Sequence, residues 1–435
     1  MRSARLAVRG PAQLLFRGRR PGVSCMAGED AHTYKYPRPA VTVDTVIVAA
    51  RPGNVAPAQM LLIKRKNPPF KDCWALPGGF VDEGEGLDAA AGRELKEETS
   101  VDPSSVALTQ VGAFGDPGRD PRGWTVTVAY AALVPSTNMG VKAADDAKEA
   151  RWFDVANLPQ LAFDHKLVVR SALRHLAKSP AAAAMAGLPA SLEAAAVKLE
   201  GPWQTTEQPQ HVPPKRTKGG VQPSPNVGFL LASRKKGSDA GKQTEGPAIQ
   251  AAHPPPKGHT YEYPRPAVTV DTIVVAVPTE DEPAQILLIR RRFPPFKDCW
   301  ALPGGFVDEG EGLDPAAGRE LQEETSVDPS SVALTQVGAF GDPGRDPRGW
   351  TVTVAYAALV PSTNMGVKAA DDAQDARWFD VGALPQLAFD HRRVVRAALR
   401  HLAKSPAAAA VADLAASLEA AAAKLEGPGE APAAK

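Results

Sequence analysis

Apolar residues recur along the chain with two different periods, and these periods predict alternating strands and helices. Dense β-branched runs and alternating apolar positions predict strands over Ala40–Ala50, Gln59–Arg65, Val106–Phe114, Trp124–Val134 and Arg151–Phe153. The predicted helices are Ala89–Thr99, Asp164–Lys178 and Ser191–Glu200. Strands that first pair as hairpins and then alternate with helices predict the α/β class, with a mixed sheet between two helical layers.

The whole pattern occurs twice. Residues 101–147 recur letter for letter as 327–373, and the flanking segments recur with few changes. We interpret 29–180 as copy one and 259–406 as copy two, followed by Ala-rich helices in 181–202 and, with the tail, in 407–435. Residues 203–258 have no counterpart and are rich in Pro, Gly, Gln and Lys, which predicts a disordered linker.

The start of the first helix in each copy carries a local signal. Asp88 precedes Ala89 and can cap a helix with its carboxylate, so we predict it as the N-cap. In copy two, Pro315 follows Asp314, and proline is common at the first helical position. We therefore predict Pro315 as the first residue of that helix.

Composition and charge limit the classes of binding partner and site that we expect. A chain of 435 residues with a formal net charge of +1 gives no strong attraction to nucleic acid or to a membrane surface, and we expect neither as a partner. The cysteines are Cys25, Cys73 and Cys299, without a CxxC pair, so neither a disulfide framework nor a zinc site is indicated. The sequence has no run of eighteen apolar residues that would predict a membrane-spanning helix.

The first 28 residues differ from the rest, because they are rich in arginine and contain no acidic residue before Glu29. This composition resembles an organelle transit peptide, and it predicts a chloroplast or mitochondrial location. The alternative is a start at Met26, which would give a cytoplasmic form.

An acidic cluster supplies the candidate chemistry. Glu94, Glu97 and Glu98 are spaced i, i+3 and i+4, so they share one helix face, and Glu320, Glu323 and Glu324 repeat the arrangement. Three neighbouring carboxylates repel one another unless a cation lies among them, and an oxygen-only site suits Mg²⁺, with Mn²⁺ as an alternative. The other interpretation is a solvated acidic face.

The residues around this cluster resemble the signature of the Nudix hydrolases, G-x5-E-x7-R-E-U-x-E-E-x-G-U, where U is a bulky aliphatic residue. The matching segments are Gly79–Val101 and Gly305–Val327. They depart from it at Ser100 and Ser326, where the glycine would end the helix in a left-handed turn at a cost of roughly 1 kcal/mol for serine. The resemblance implies a Nudix-type α/β/α sandwich with a mixed β-sheet, duplicated in tandem.

We call the matching segments, Gly79–Val101 and Gly305–Val327, the box of each copy. The resemblance also implies roles for the residues of the box. Glu94, Glu97 and Glu98 would bind Mg²⁺, which the turn at Gly79 approaches through backbone carbonyls. Glu85 would add a carboxylate or hold Arg93, and Arg93 would orient the glutamates; Glu94, Glu98 and Arg93 are our catalytic candidates. The same roles fall in copy two on Gly305, Glu311, Arg319, Glu320, Glu323 and Glu324. Such enzymes hydrolyse a nucleoside diphosphate linked to another group, with a metal-activated water attacking one phosphorus in line.

The substrate would be recognised outside the box. The loop Asp116–Arg122 is similar to a segment of ADP-ribose pyrophosphatases, and its arginines suit phosphate or ribose contacts. The alternative is an Arg–Asp ion-pair turn. Trp124 could stack on adenine or pack in the core. The substrate-binding candidates are Arg65, Arg119 and Arg122 in copy one and Arg291, Arg345 and Arg348 in copy two.

The general base stays open between two sources. The first is the box, with Glu94 or Glu98. The second is a distal acidic loop, with Asp145, Asp146 or Glu149; the counterpart of Glu149 in copy two is Asp375, one methylene shorter. We interpret two further residues as structural, with Asp164 as a helix N-cap and His165 as a packed surface residue.

The favoured function is Mg²⁺-dependent hydrolysis of ADP-ribose to AMP and ribose 5-phosphate. Alternatives are another nucleotide substrate (NADH, a nucleotide sugar or an oxidised dNTP), one copy acting as a non-catalytic ADP-ribose sensor, or a scaffold built from the tandem. Because relatives commonly form homodimers, a further hypothesis is that the two copies pair within one chain as a pseudo-dimer.

Overall fold

The computed structural model describes residues 31–51, 57–143, 147–201, 258–370 and 372–427. The predicted leader, almost all of the predicted linker, and residues 428–435 lie outside these ranges. Copy one has strands β1 (His32–Tyr34), β2 (Ala40–Ala49), β3 (Gln59–Arg65), β4 (Trp74–Ala75), β5 (Gly78–Phe80), β6 (Thr109–Phe114), β7 (Thr125–Val134) and β8 (Ala147–Asp154). Its helices are α1 (Leu87–Thr99), α2 (His165–Ala177), α3 (Pro180–Ala183) and α4 (Leu188–Lys198).

Copy two repeats these elements. Its strands are β9 (His259–Tyr261), β10 (Ala267–Ala276), β11 (Gln285–Arg291), β12 (Trp300–Ala301), β13 (Gly304–Phe306), β14 (Thr335–Phe340), β15 (Thr351–Val360) and β16 (Ala373–Asp380). Its helices are α5 (Leu313–Thr325), α6 (His391–Ala403), α7 (Pro406–Ala409) and α8 (Leu414–Lys424). None of the described helices combines the length and the apolar character needed to span a membrane.

Each copy is built on one mixed sheet. In copy one the strand order is β4-β3-β2-β7-β6, with β5 also paired to β2 and β8 to β3. Strands β2 and β7 run parallel, from Ala40 opposite Thr125 to Ala49 opposite Val134, and the other pairs are antiparallel. The predicted mixed sheet is therefore confirmed.

Strand β2 shows why helices cover both faces of the sheet. Side chains alternate across a strand, so Val46 and Val48 point to one face while Ile47 and Ala49 point to the other. Val46 and Val48 belong to the apolar cluster that contains α2 and α4, and Ile47 and Ala49 belong to the cluster that contains Leu95 of α1. A strand apolar on both faces is stable only between two layers, as the predicted α/β/α sandwich requires.

The predicted helix starts are wrong at the box helices. Helix α1 begins at Leu87 after Gly86, so Asp88 is its second residue and does not cap it. Its carboxylate instead accepts a hydrogen bond of 2.7 Å from Tyr130 Oη. Helix α5 likewise begins at Leu313, which makes Pro315 its third residue. A tertiary contact of the acidic side chain replaces the local cap that the sequence predicted.

The two copies pack against each other. One cluster of buried apolar side chains draws on both of them, including Val43 and Val128 from copy one and Val270 and Val354 from copy two. Strands β1 and β9 form a separate antiparallel pair, with His32 opposite Tyr261. The hypothesis of a pseudo-dimer within one chain is consistent with this shared core.

The ends of the box helices have the predicted left-handed geometry. Ser100 has φ 61° and ψ 8°, and its N–H donates to Lys96 O at 2.9 Å; Ser326 repeats this conformation. Glycine adopts this conformation without the steric cost that a β-carbon adds. Serine therefore ends the helix in the expected way, at some cost in stability.

We expect Ser100→Gly to raise the free energy of unfolding by up to about 1 kcal/mol, since glycine relieves the left-handed strain. The hydrogen bond of 3.3 Å from Ser100 Oγ to Lys142 O is lost and reduces this gain. Urea denaturation measures the change. The matched control is Ser191→Gly, inside α4 and exposed, which should lose roughly 0.5 kcal/mol. Equal destabilisation by both substitutions would contradict the argument.

Candidate active site

Gly79 brings the box turn close to helix α1. Strand β5 pairs with β2, so that Gly79 lies opposite Val43, and α1 crosses beside it. A β-carbon built on Gly79 would lie 2.5 Å from the carboxylate of Glu94, and one on Gly305 would lie equally close to that of Glu320. A β-carbon here would push the Glu94 carboxylate away from its contact with Arg93, which explains the glycine of the box.

Arg93 holds three carboxylates together. Its Nε and Nη2 donate to the two oxygens of Glu85 at 2.8 Å each, and its Nη1 donates to Glu94 at 2.7 Å and to Glu97 at 3.0 Å. Nη2 also donates to Phe80 O at 2.9 Å. Of the two roles predicted for Glu85, the structure shows the one that holds the arginine. Arg93 orients glutamates, as predicted.

Glu98 is outside the reach of this guanidinium. It is 6% exposed and accepts a hydrogen bond of 2.9 Å from the N–H of Gly78. Burial raises the pKa of the Glu98 carboxyl to about 8, and the Glu94 charge adds to burial, while the Gly78 hydrogen bond opposes it. Burial likewise raises the pKa of the Glu94 carboxyl, against the pull of Arg93.

Copy two reproduces this geometry. Arg319 binds Glu311 at 2.9 and 2.8 Å, Glu320 at 2.7 Å and Glu323 at 3.0 Å. Glu324 accepts from the N–H of Gly304 at 2.8 Å, and burial raises its carboxyl pKa to about 8. The box chemistry is therefore present in both copies.

A cleft of about 340 Å³ lies beside the box of copy two. It brings together most of the site residues predicted for copy two. It also contains one residue whose counterpart was among the alternatives for the general base. The predicted residues at its wall are Arg291, Gly305, Arg319, Glu320, Glu323, Glu324 and Arg348. The further residue is Asp372, the counterpart of Asp146. Glu311 lies behind Arg319, and Arg345 lines an adjoining hollow with Arg291 and Arg348.

The arginines of the predicted substrate loop are held by acidic residues. Arg119 is buried and binds both oxygens of Asp164, at 2.8 and 2.7 Å, and Arg345 binds Asp390 in the same way. Asp164 is the N-cap residue of α2, as predicted, but its carboxylate makes no capping bond and binds Arg119 instead. The alternative of an Arg–Asp ion-pair turn is met within the loop by Arg122 and Asp120, whereas Arg119 pairs with an aspartate 45 residues away.

Arg122 forms an ion pair within the loop and stays partly exposed. Its guanidinium binds the two oxygens of Asp120 at 2.7 to 3.1 Å, and its side chain is 38% exposed. It also lies 5.0 Å from the ring centre of Phe80 and 5.2 Å from that of Phe163. Arg348 repeats this arrangement. Of the two loop arginines, Arg122 is the one placed for an exposed contact.

Arg65 joins this group from strand β3. Its Nε donates to Pro69 O at 2.9 Å, and its guanidinium lies 4.9 Å from the ring centre of Phe163. Together with Gly79, Arg119 and Arg122 it lines a small hollow beside the box. In copy two, burial and then the nearby Arg348 charge lower the pKa of Arg291. Two neighbouring guanidinium groups of this kind would suit an anionic ligand.

The sequence interpretation missed a buried pair behind the box turn. His165, predicted at the surface, is 5% exposed and accepts a hydrogen bond of 2.9 Å from Leu76 N–H at Nδ1. Its Nε2 lies 3.6 Å from Asp44 Oδ1, and burial lowers the pKa of the imidazole. Asp44 also accepts from Thr127 Oγ1 at 2.6 Å. The available signal was a single acid inside the apolar run of β2.

The remaining candidates have mixed outcomes. Trp124 packs against the core shared by the two copies, which favours its structural interpretation. Asp145 and Asp146 lie outside the described residues. Glu149 pairs with Arg151, and Asp375 pairs with Arg377 at 2.6 Å. Asp375 does not line the cleft of copy two, whereas Asp372 does.

The family model of the NUDIX domain matches residues 39–175 and 270–398, more than half of the chain. The chain belongs to the Nudix family. It is a Nudix pyrophosphohydrolase, and the matched segments contain both acidic clusters. The domain boundaries predicted outside these segments remain predictions.

Named relatives of this Nudix protein differ in activity. It is 42% identical over 158 residues to an ADP-ribose pyrophosphatase of Methanocaldococcus jannaschii, a match that covers 36% of this chain and 87% of that one. It is 41% identical over 145 residues to an ADPR-responsive transcriptional repressor of Acinetobacter baylyi, covering 32% of this chain and just 56% of the repressor. The NUDIX domain of Shewanella oneidensis NrtR, solved with ADP-ribose, is 33% identical, covering 32% of this chain and 90% of that one, with a TM-score of 0.29.

Nudix hydrolases generally use divalent metals, and the residues of this site fit one. Among the described residues no group of three acidic, His or Cys side chains already forms a metal cluster, because Arg93 holds Glu85, Glu94 and Glu97. Glu98 is different: it is a buried carboxylate that Arg93 does not contact, and burial raises its pKa. Oxygen donors of this kind suit a hard divalent cation.

In buffer without divalent cations, we expect Glu98 and Glu324 to contribute a loss of stability as pH rises from about 4.5 to about 8. The pKa of Glu98 is about 8 in the folded chain and 4.5 as its ordinary value, so between these values the folded state binds more protons than the unfolded state. Ionisation then favours unfolding. Glu98→Gln combined with Glu324→Gln should remove this contribution, so that the variant loses less stability than the wild type over this range and has the higher Tm at pH 8.5.

Thermal melts with EDTA at pH 5, 7 and 8.5 make the comparison. The control is Glu83→Gln combined with Glu309→Gln, two exposed carboxylates in the same box turns. The control should follow the wild-type pH profile. Parallel profiles for the wild type and the Glu98 and Glu324 variant would refute the raised pKa.

Proposed function

We propose that the chain hydrolyses ADP-ribose to AMP and ribose 5-phosphate with Mg²⁺. The observation that carries this substrate is the 42% identity to the pyrophosphatase of Methanocaldococcus jannaschii, which extends over 87% of that enzyme. The box geometry supports the reaction class, and the arginines beside it, Arg65 and Arg122, suit an anionic diphosphate.

Each residue at the site has a role in this proposal. Glu94 and Glu98, with the turn at Gly79, would hold the cation, and Arg93 fixes the direction of Glu94. When bound, Mg²⁺ supplies charge neutralisation for the diphosphate and lowers the pKa of a water. The exposed guanidinium of Arg122 binds a phosphate oxygen and orients the substrate along the cleft.

Asp372 is our candidate for the general base of copy two. It lines the cleft together with Glu320 and Glu324, and its charge helps raise the pKa of Glu324. Asp375 pairs with Arg377 away from this cleft. A proton acceptor must come within hydrogen-bond reach of the attacking water, which favours Asp372 by position.

A substrate panel tests the proposed function. With Mg²⁺ and ADP-ribose, Glu98→Gln and Glu324→Gln should each lower AMP release, and the double variant should lower it by at least about 10²-fold, since both sites lose a carboxylate of the box. Release of AMP is followed by chromatography. The exposed Glu83→Gln should match the wild type.

Two outcomes contradict different parts of the proposal. Wild-type turnover of NADH or a nucleotide sugar without turnover of ADP-ribose would reject the substrate. AMP release in the double variant at the wild-type rate would reject the site. ADP-ribose binding without turnover in the wild type would favour the sensor function, which is suggested by the 41% identity to the repressor of Acinetobacter baylyi.

A second comparison tests the base. With copy one silenced by Glu98→Gln, Asp372→Asn should lower kcat by roughly 10²-fold or more. The matched variant Asp375→Asn removes a carboxylate from the same strand region and should change kcat less than twofold. The reverse order of effects would assign the role to Asp375 and, by equivalence, to Glu149.

A further inference from the structure

Two glutamine side chains join the copies through main-chain hydrogen bonds. Gln336 of copy two accepts from the N–H of Ala113 at 2.8 Å and donates to its carbonyl at 3.0 Å. Gln110 of copy one makes the same two bonds to Ala339, at 2.8 and 3.0 Å. Each amide therefore replaces one rung of a β-ladder, beside the register shift in β6 or β14.

The second N–H of each glutamine connects this contact to the catalytic helix. Gln110 Nε2 also donates to Tyr130 Oη at 3.2 Å, and Tyr130, which is 1% exposed, donates to Asp88 at 2.7 Å. Asp88 lies in the first turn of α1, the helix that carries Glu94 and Glu98. The sequence of bonds thus runs from the backbone of copy two to the box helix of copy one.

Copy two has the matching connection. Gln336 Nε2 donates to Tyr356 Oη at 3.2 Å, and Tyr356 donates to Asp314 of α5 at 2.6 Å. In both networks the amide uses both of its N–H groups and its oxygen, so no buried polar atom of the glutamine is left unpaired. Fully satisfied networks of this kind fix a single geometry.

A close apolar contact reinforces the link. Leu87, the first residue of α1, is 3% exposed, and a β-carbon built on Gly341 of copy two would lie 2.9 Å from its Cγ. Gly115 of copy one approaches Leu313 of α5 at 2.8 Å by the same measure. Neither glycine has a positive φ, so room for the leucine, rather than backbone conformation, requires glycine here.

We propose that the catalytic helix of each copy is positioned by the other copy, with Gln110, Gln336, Gly115 and Gly341 as positioning residues. The proposal rests on the assignment of Glu94, Glu98 and their counterparts as the active site. Asp88 is six residues before Glu94, about 9 Å along the helix. The carboxylate of Glu94 lies against Gly79 and is held by Arg93, so a shift of α1 would move this carboxylate relative to the turn.

A crossover experiment with full-length chains separates this role from a local one. With copy two silenced by Glu324→Gln, the remaining turnover of ADP-ribose comes from copy one. In this background Gly341→Ala, a change in the silent copy, should lower kcat roughly tenfold or more while KM changes little, because a displaced carboxylate costs rate rather than affinity. Gly115→Ala, a change in the active copy, should cost less.

Silencing copy one instead of copy two should reverse the effects of the two glycine substitutions. With copy one silenced by Glu98→Gln, Gly115→Ala should be the damaging change and Gly341→Ala the mild one. A local role of each glycine gives the opposite pattern, with each change affecting the copy that contains it, and that result overturns the proposal. Adding Leu87→Ala to Gly341→Ala should restore part of the lost kcat, since the new methyl group then has room.

Two further measurements keep the test decisive. If Gly341→Ala fails to fold, Gln110→Met removes the cross-copy bonds at similar volume and should lower kcat of copy one in the Glu324→Gln background, with Gln336→Met as its matched control. Hydrogen exchange of residues 87–99 needs no substrate, and protection there should fall in Gly341→Ala. Unchanged protection of residues 87–99 together with unchanged kcat rejects the positioning role. If protection falls in Gly341→Ala but the wild-type chain does not hydrolyse ADP-ribose, only the proposed substrate is rejected.

Discussion

The active site depends on one guanidinium in each copy. Arg93 places the carboxylates of Glu85, Glu94 and Glu97 around a planar fork and anchors itself on Phe80 O. It thereby overcomes the repulsion between acidic neighbours that the sequence made conspicuous. Glu98 stays apart, buried and bonded to Gly78. The result is a division between three carboxylates that contact the Arg93 guanidinium and one buried carboxylate that does not.

This division explains the neighbouring structure. The β5 turn must lie against α1 for Gly78 to reach Glu98, and a β-carbon at Gly79 would then displace the Glu94 carboxylate. Behind the turn, His165 receives the N–H of Leu76 and faces Asp44. Strand, turn and helix are thus fixed to one another by buried polar contacts, as preorganised catalysis requires.

Much of the fold could be predicted because local pattern determined it. The bounds of Gln59–Arg65 were predicted without error, and Ala40–Ala50 was one residue too long. The box motif predicted which residues meet at Gly79. Local pattern failed where partners are distant in sequence. Asp88 accepts a hydrogen bond from Tyr130 and does not cap the helix, and Arg119 pairs with Asp164, which is 45 residues away. A capping signal and a tertiary ion pair use the same residue type, so sequence spacing alone does not separate them.

The identity of residues 101–147 and 327–373 has a consequence for assembly. These segments supply both sides of the Gln110 and Gln336 contacts. The contact surface of each copy is therefore complementary to the same surface on another molecule as well as to that of the other copy. A single-domain dimer of this kind would dissociate on dilution, because its association is second order. Covalent connection makes the encounter first order here. The pairing of the two domains is therefore independent of how much protein is present.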